Sequence, residues 1–128
     1  MSVMVPVSWG ELLDKISILE IKTDRIAESD KLANVRRELT KLVAIRDDGL
    51  PTDPSLDAAA SELREVNLAL WDIEDDIRDC ERRQDFGPRF VELARSVYRS
   101  NDRRAAIKQR INQAAGSDIA EEKSYTEY

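Results

Sequence analysis

The chain is predicted to be all-α: an antiparallel helical bundle of about four helices in which the third and fourth are long. Three observations predict it. Apolar residues recur every three or four positions along most of the 128 residues. Glycine and proline are rare, four of each, and they fall at the ends of helix-length segments. Hydrophobic residues make up 41% of the chain and charged residues 36%, which is enough apolar material for a core and too much for a disordered polymer. At this length residues 1–128 form a single domain that buries roughly two-thirds of its unfolded surface without a disulfide or metal staple.

The elements follow in order. Met1 to Val7 alternate weakly around Pro6 and read as an extended lead-in over residues 1–8. Ser8 and Glu11 form S-x-x-E, a spacing in which each side chain satisfies an orphan amide of the first helical turn. A first helix is expected from Trp9 to about Glu28. A second follows from about Asp30 to Asp48, with Val35, Leu39, Leu42 and Val43 on one face and Gly49 closing it; the break between the two is soft enough for one kinked helix. The run Gly49-Leu50-Pro51-Thr52-Asp53-Pro54 is a loop. Ser55 is expected to cap a third helix that runs to about Asp85, with Leu56, Leu63, Val66, Leu70, Ile73, Ile77 and Cys80 at helical spacing. Gly87 and Pro88 break the chain, and a fourth helix runs from Pro88 to about Ala115, where Gly116 stops it. Residues 117–128 are a polar, acidic tail.

Composition excludes several functions. Twenty-six acidic against 20 basic residues give a net charge of −6, which argues against nucleic acid as a partner, because phosphate neutralisation needs a basic excess. There is no histidine, so serine–histidine and cysteine–histidine catalysis and every histidine metal site are ruled out. The single cysteine, Cys80, excludes an internal disulfide and sits on an apolar stripe, as a buried inert thiol does. No apolar run of about 18 residues crosses a membrane, and the start of the chain lacks a secretory pattern, so cytoplasmic residence is expected. No glycine-rich phosphate loop or dinucleotide fingerprint is present, and no cofactor is expected. Glu62 and Glu65 stand at i, i+3, and Glu11 and Asp14 repeat that spacing; acidic helices generate such pairs by chance, and no metal site is assigned.

Three features exceed what a simple bundle requires. The third and fourth helices carry opposite charge: Ser55–Asp85 holds ten acidic residues and four arginines, whereas Pro88–Ala115 holds seven basic and two acidic residues. Complementary charge of this kind selects pairing more than it adds stability. The first helix has two apolar faces, one through Leu12, Ile16, Leu19 and Ile26, the other through Ile18 and Ile21 among Glu11, Asp14, Lys22 and Arg25. A helix apolar on two sides is covered on two sides, as the central helix of the monomer, as a homo-oligomer interface through this helix, or by a ligand pocket.

The fourth helix places Asn101, Arg104, Lys108 and Asn112 in line with Phe90, Ala94 and Val97. Buried amides and cations must be paired, so this half of the stripe meets solvent, carboxylates of the third helix, or a bound anion. The third helix supplies a bordering row that includes Asn67, Trp71, Glu74 and Arg78. Lys22, Glu74, Arg78, Asn101, Lys108 and Asn112 are therefore the candidate ligand-binding set for a small carboxylate or phosphate. In it Lys108 and Arg78 pair the anion, Glu74 orients Arg78 or acts as a base, and the amides fix the ligand. The leading expectation is a self-associating, protein-interaction module acting without catalysis. The small-anion protein or enzyme is the alternative.

The run SWGELLDKISILEIKTDRI at Ser8–Ile26 resembles the opening signature of a small uncharacterised bacterial family of short all-helical proteins, classed as a domain of unknown function. LWDIEDDIR at Leu70–Arg78, NDRRAAIKQRIN at Asn101–Asn112 and EEKSY at Glu121–Tyr125 resemble it too. The resemblance spans nearly the whole chain and implies a stand-alone bacterial helical domain; it implies no activity. More loosely, Leu-Leu-Asp-Lys-Ile with Lys22 and Arg25 resembles helical chorismate mutases, although their arginine-bearing opening is missing.

Overall fold

The computed structural model describes residues 1–128 and contains four helices and no strand: α1 (Trp9–Arg25), α2 (Ser29–Gly49), α3 (Pro54–Arg82) and α4 (Pro88–Ala115). The all-α bundle with long third and fourth helices is what the apolar periodicity predicts. At 1.5 Å per residue, the 29-residue α3 is about 43 Å long and the 17-residue α1 about 25 Å. The α3–α4 pair therefore outruns α1 by some 18 Å.

The boundaries follow local chemistry. Ser8 caps α1, its hydroxyl accepting from the Glu11 amide at 3.1 Å. The helix ends three residues before Glu28, because Ile26 turns extended while its amide still donates to Lys22. The first two helices are thus separate. α2 runs through Gly49 rather than stopping before it, and Leu50 leaves the helix in an extended conformation. The cap of α3 is Asp53, not Ser55: its carboxylate accepts from the Ser55 amide and hydroxyl, both at 2.9 Å, and Pro54 fills the first turn, where a missing amide does no harm. α3 ends at Arg82, short of Asp85, since Gln84 adopts a left-handed φ of 56° in the turn to α4. Gly116, at φ 68°, closes α4 as expected.

The core lies at one end of the long hairpin. Leu12, Leu13 and Ile16 of α1 pack with Leu56, Ala59, Leu63 and Val66 of α3 and Ile107 and Ile111 of α4. Leu39, Leu42 and Val43 of α2 pack on this cluster from outside. α1 is the central helix and touches all three others. Its second apolar face is covered within the chain: Ile21 is only 1% exposed and Ile18 is half-buried. α3 and α4 are antiparallel neighbours, and two ion pairs join their surfaces, Arg89 to Asp76 at 3.2 Å and Arg110 to Glu62 at 2.6 Å. No helix is long and apolar enough to cross a membrane. Cys80 is buried, as its place on the stripe implies.

Candidate functional site

Three of the four polar residues of the α4 stripe, Arg104, Lys108 and Asn112, are bonded neither to solvent-facing partners nor to the carboxylates of α3. They meet the start of α1. Gly10 makes this possible, because the first turn of α1 lies so close to α4 that a Cβ at Gly10 would stand 2.6 Å from the Lys108 carbonyl oxygen. The Gly10 amide, an orphan donor of the first turn, donates to Asn112 Oδ1 at 2.7 Å. One turn further, Lys108 donates to Glu11 Oε2 at 2.6 Å. One turn further again, Asp14 is 1% exposed and is held from two helices. Arg104 of α4 donates through Nε at 3.0 and 3.1 Å and through Nη2, and Asn67 of α3 donates at 2.9 Å. The same Asn67 amide nitrogen reaches Ser17 Oγ at 3.1 Å.

This ladder joins α1, α3 and α4: Arg104, Lys108 and Asn112 stand one turn apart on α4, Glu11, Asp14 and Ser17 three residues apart on α1, and Asn67 alone comes from α3. Charges balance within it: Glu11 and Asp14 face Arg104 and Lys108. No buried side-chain nitrogen or oxygen in the chain lacks a hydrogen-bond partner. The hydrogen bonds that Arg104 donates to the Asp14 carboxylate raise the guanidinium, against the opposing effect of burial. For Lys108 burial is the largest single influence and lowers the ammonium. The hydrogen bond to Glu11 and the charges of Asp14, Glu11 and Glu121 together outweigh it, so its pKa is raised. Both groups stay cationic near neutral pH, as partners of the Glu11 and Asp14 carboxylates require.

The six predicted site residues divide. Lys108 and Asn112 belong to the ladder, with α1 as their partner. Glu74, Arg78 and Asn101 line a groove of about 490 Å³ between α3 and α4, together with Ile18, Trp71 and Arg104. Within it Arg78 pairs with Glu74 on its own helix and remains largely exposed. Lys22 is half-buried on α1, its ammonium forms no hydrogen bond or ion pair within the chain, and it does not line that groove. Glu62, considered above for metal, faces Arg110, and no group of three or more Cys, Asp or Glu side chains is arranged to hold a metal ion.

The ladder's central residue was missed. Asp14 reads from sequence only as one of the charged residues flanking Ile18 and Ile21, whereas it is among the most buried side chains of the chain. Its signal was present: a lone carboxylate between Leu13 and Ile18 on an apolar helix, and two cations four residues apart on a stripe that otherwise reads as core. What was lacking was the register that sets one against the other.

Comparison with curated proteins and with solved structures finds no match. A family model matches residues 3–128, a span that takes in the Ser8–Ile26 run, the ladder and the tail. The chain therefore belongs to that family, DUF6165, a family of unknown function.

Proposed function

We propose that the chain is a cytoplasmic self-associating module, in which two copies pack the outer halves of their α3–α4 hairpins together as a four-helix bundle. One observation carries this reading: an apolar seam with no third helix over it. The core cluster and its packed neighbours take nothing from α3 beyond Leu70 and nothing from α4 before Ile107. Past Asp72 on α3 and before Arg104 on α4, no hydrogen bond or ion pair reaches α1 or α2. In this outer region only Cys80 and Leu93 are buried; Ile73, Ile77, Phe90 and Val97 are half-buried, and Phe86 and Val91 are 49% and 51% exposed. A helix pair half-covers its own seam, and a second pair completes the cover.

The charge pattern fits a second copy as the partner. Past Asp72 the outer part of α3 is net acidic (Glu74, Asp75, Asp76, Asp79 and Glu81 against Arg78 and Arg82) and that of α4 net basic (Arg89, Arg95 and Arg99 against Glu92). A two-fold contact sets each stripe against the other copy's opposite stripe. The interface expected through α1 is replaced in this reading, because the chain's own helices enclose Ile21. A cytoplasmic setting accords with the single unpaired cysteine. Of the alternative anion set, only Asn101 and Lys108 keep support, since Asn112 is committed to the Gly10 amide, Arg78 to Glu74, and Lys22 stands apart.

Sedimentation of the full chain tests the reading. A dimer is expected at about 50 µM, as micromolar affinity (about −8 kcal/mol) implies. The double variant Phe86→Ser, Val91→Lys changes exposed side chains only, and it should sediment as a monomer with unchanged helical circular dichroism. A wild-type monomer at that concentration, or a variant that still dimerises, overturns the proposal.

A further inference from the structure

The segment after Gly116 has no helix or strand, yet it turns back along α4. From Ala120 to Tyr128 every side chain is exposed, so buried apolar contact does not hold it there. Polar and aromatic contacts do. Asp102 accepts from Lys123 at 3.2 Å and from the Tyr128 hydroxyl at 2.6 Å, and the Tyr128 ring meets Tyr98 edge-on at 5.0 Å. Nearer the ladder, the Glu121 carboxylate lies 3.6 Å from Lys108.

Beneath this strap is a cavity of about 520 Å³, within the range that holds a small organic ligand, about 300–1,000 Å³. Arg104, Lys108 and Asn101 line it from α4, and Tyr98 and Tyr125 stand at its walls. Its cations have donors to spare. The Lys108 ammonium carries three protons but makes one hydrogen bond, to Glu11; Asp14 and Glu121 stand at 3.7 and 3.6 Å, at ion-pair range only. Arg104 gives Nε and Nη2 to Asp14, and no hydrogen bond uses its Nη1. Of the three carboxylates around Lys108, Glu121 alone is largely exposed, and it alone comes from a segment with no helical anchor.

We propose that this cavity binds a small organic carboxylate with a flat apolar body, and that Glu121 is the built-in occupant which that ligand displaces. The ligand carboxylate takes the open donors of Lys108 and Arg104, and its body lies by Tyr98 and Tyr125. The ladder carboxylates Glu11 and Asp14 keep their places, so ligand entry moves the strap and leaves the bundle intact. The site does not depend on self-association, and the monomeric Phe86→Ser, Val91→Lys variant should bind equally well.

Amide NMR titration of the full chain with benzoate, and separately with inorganic phosphate, tests the proposal. Benzoate should shift amides from Asn101 to Lys108 saturably, and phosphate should bind more weakly because it lacks the apolar body. Glu121→Gln removes a tethered competitor whose effective concentration is in the millimolar range, so benzoate affinity should rise about three- to ten-fold. Lys108→Met should lose at least tenfold. Should that variant fail to fold, Tyr125→Ala, an exposed wall residue, carries the same test with a several-fold loss. The absence of saturable shifts in Glu121→Gln overturns the site, as does equal binding in Lys108→Met or Tyr125→Ala. Phosphate binding as tightly as benzoate overturns the assigned ligand class.

Discussion

The two ends of the α3–α4 hairpin are built from one pair of helices but held by different forces. At the inner end, Leu63 and Ile111 are fully enclosed, and three helices are tied together through Asp14. At the outer end, the pair has only itself: two buried side chains, a T-shaped contact between Phe86 and Phe90, and exposed ion pairs such as Arg89 with Asp76. The contrast shows where charge decides structure. Inside, a carboxylate with no route to water must be satisfied or the packing fails, so each partner is indispensable. Outside, either member of a pair can turn to solvent, and the pair guides assembly more than it stabilises it.

Breaking an ion pair at each end should expose this difference most sharply. Arg104→Met leaves Asp14 buried with only Asn67 and, at 3.7 Å, Lys108 to support its charge. The expected loss is about 3 kcal/mol in chemical denaturation at pH 7. Adding Asp14→Asn should recover part of the loss at pH 7. By comparison, Arg89→Ala at the outer end should cost about 0–1 kcal/mol. Similar losses at both ends would mean that the ladder is no more than a surface network.

Gly10→Ala is a smaller break confined to the inner end. The new methyl meets the Lys108 carbonyl at 2.6 Å and Asn112 Oδ1 at 2.9 Å, and the first of these is backbone, which cannot swing aside. The first turn of α1 must lift from α4, weakening the Gly10–Asn112 bond with it. Overpacking of this kind costs about 1–3 kcal/mol, readable as a drop in thermal midpoint. A neutral result would show that α1 slides along α4 without loss, contrary to a fixed ladder.

The same division explains how much was legible in the sequence. Helix content, the long hairpin and the α4 boundaries follow from spacing of residues near one another in the chain, and the structure agrees with them. It departs at the Asp53 cap and at the early end of α3 at Arg82, because Ser55 also fits a cap and nothing in the letters marks Gln84 for a left-handed turn. Lys108 and Asn112 stood out as polar residues on a core stripe, yet their partners, Glu11 and the Gly10 amide, lie about a hundred residues away. Which helix covers which polar face depends on tertiary register. Local periodicity carries no information about that, so Asp14 reads only as a charged neighbour of Ile18 and Ile21. The tail is legible for the opposite reason: its tyrosines and acids are visible, but only the fold brings Asp102 and Tyr98 beneath them.

The tail offers the mildest perturbation, because its contacts are exposed and depend on protonation. Hydrogen bonds from Tyr128 and then Lys123 hold the Asp102 carboxyl below the ordinary range, and the bond to Asp102 raises the Tyr128 hydroxyl. A lowered carboxyl contributes to docking above its free pKa, and that contribution fades as pH falls below about 4. A raised phenol contributes below its free pKa, and that contribution fades as pH climbs past about 10. Docking should therefore be level across the intervening range and weaken at both extremes while α3 and α4 remain helical. Heteronuclear NOE values of residues 121–128 report this directly. Tyr128→Phe should remove the alkaline limb through Tyr128 and spare the acid limb, which the Lys123–Asp102 pair still supports. An unchanged alkaline limb in that variant would mean that another group, such as Lys108 losing its charge beside Glu121, controls the strap from the ladder side.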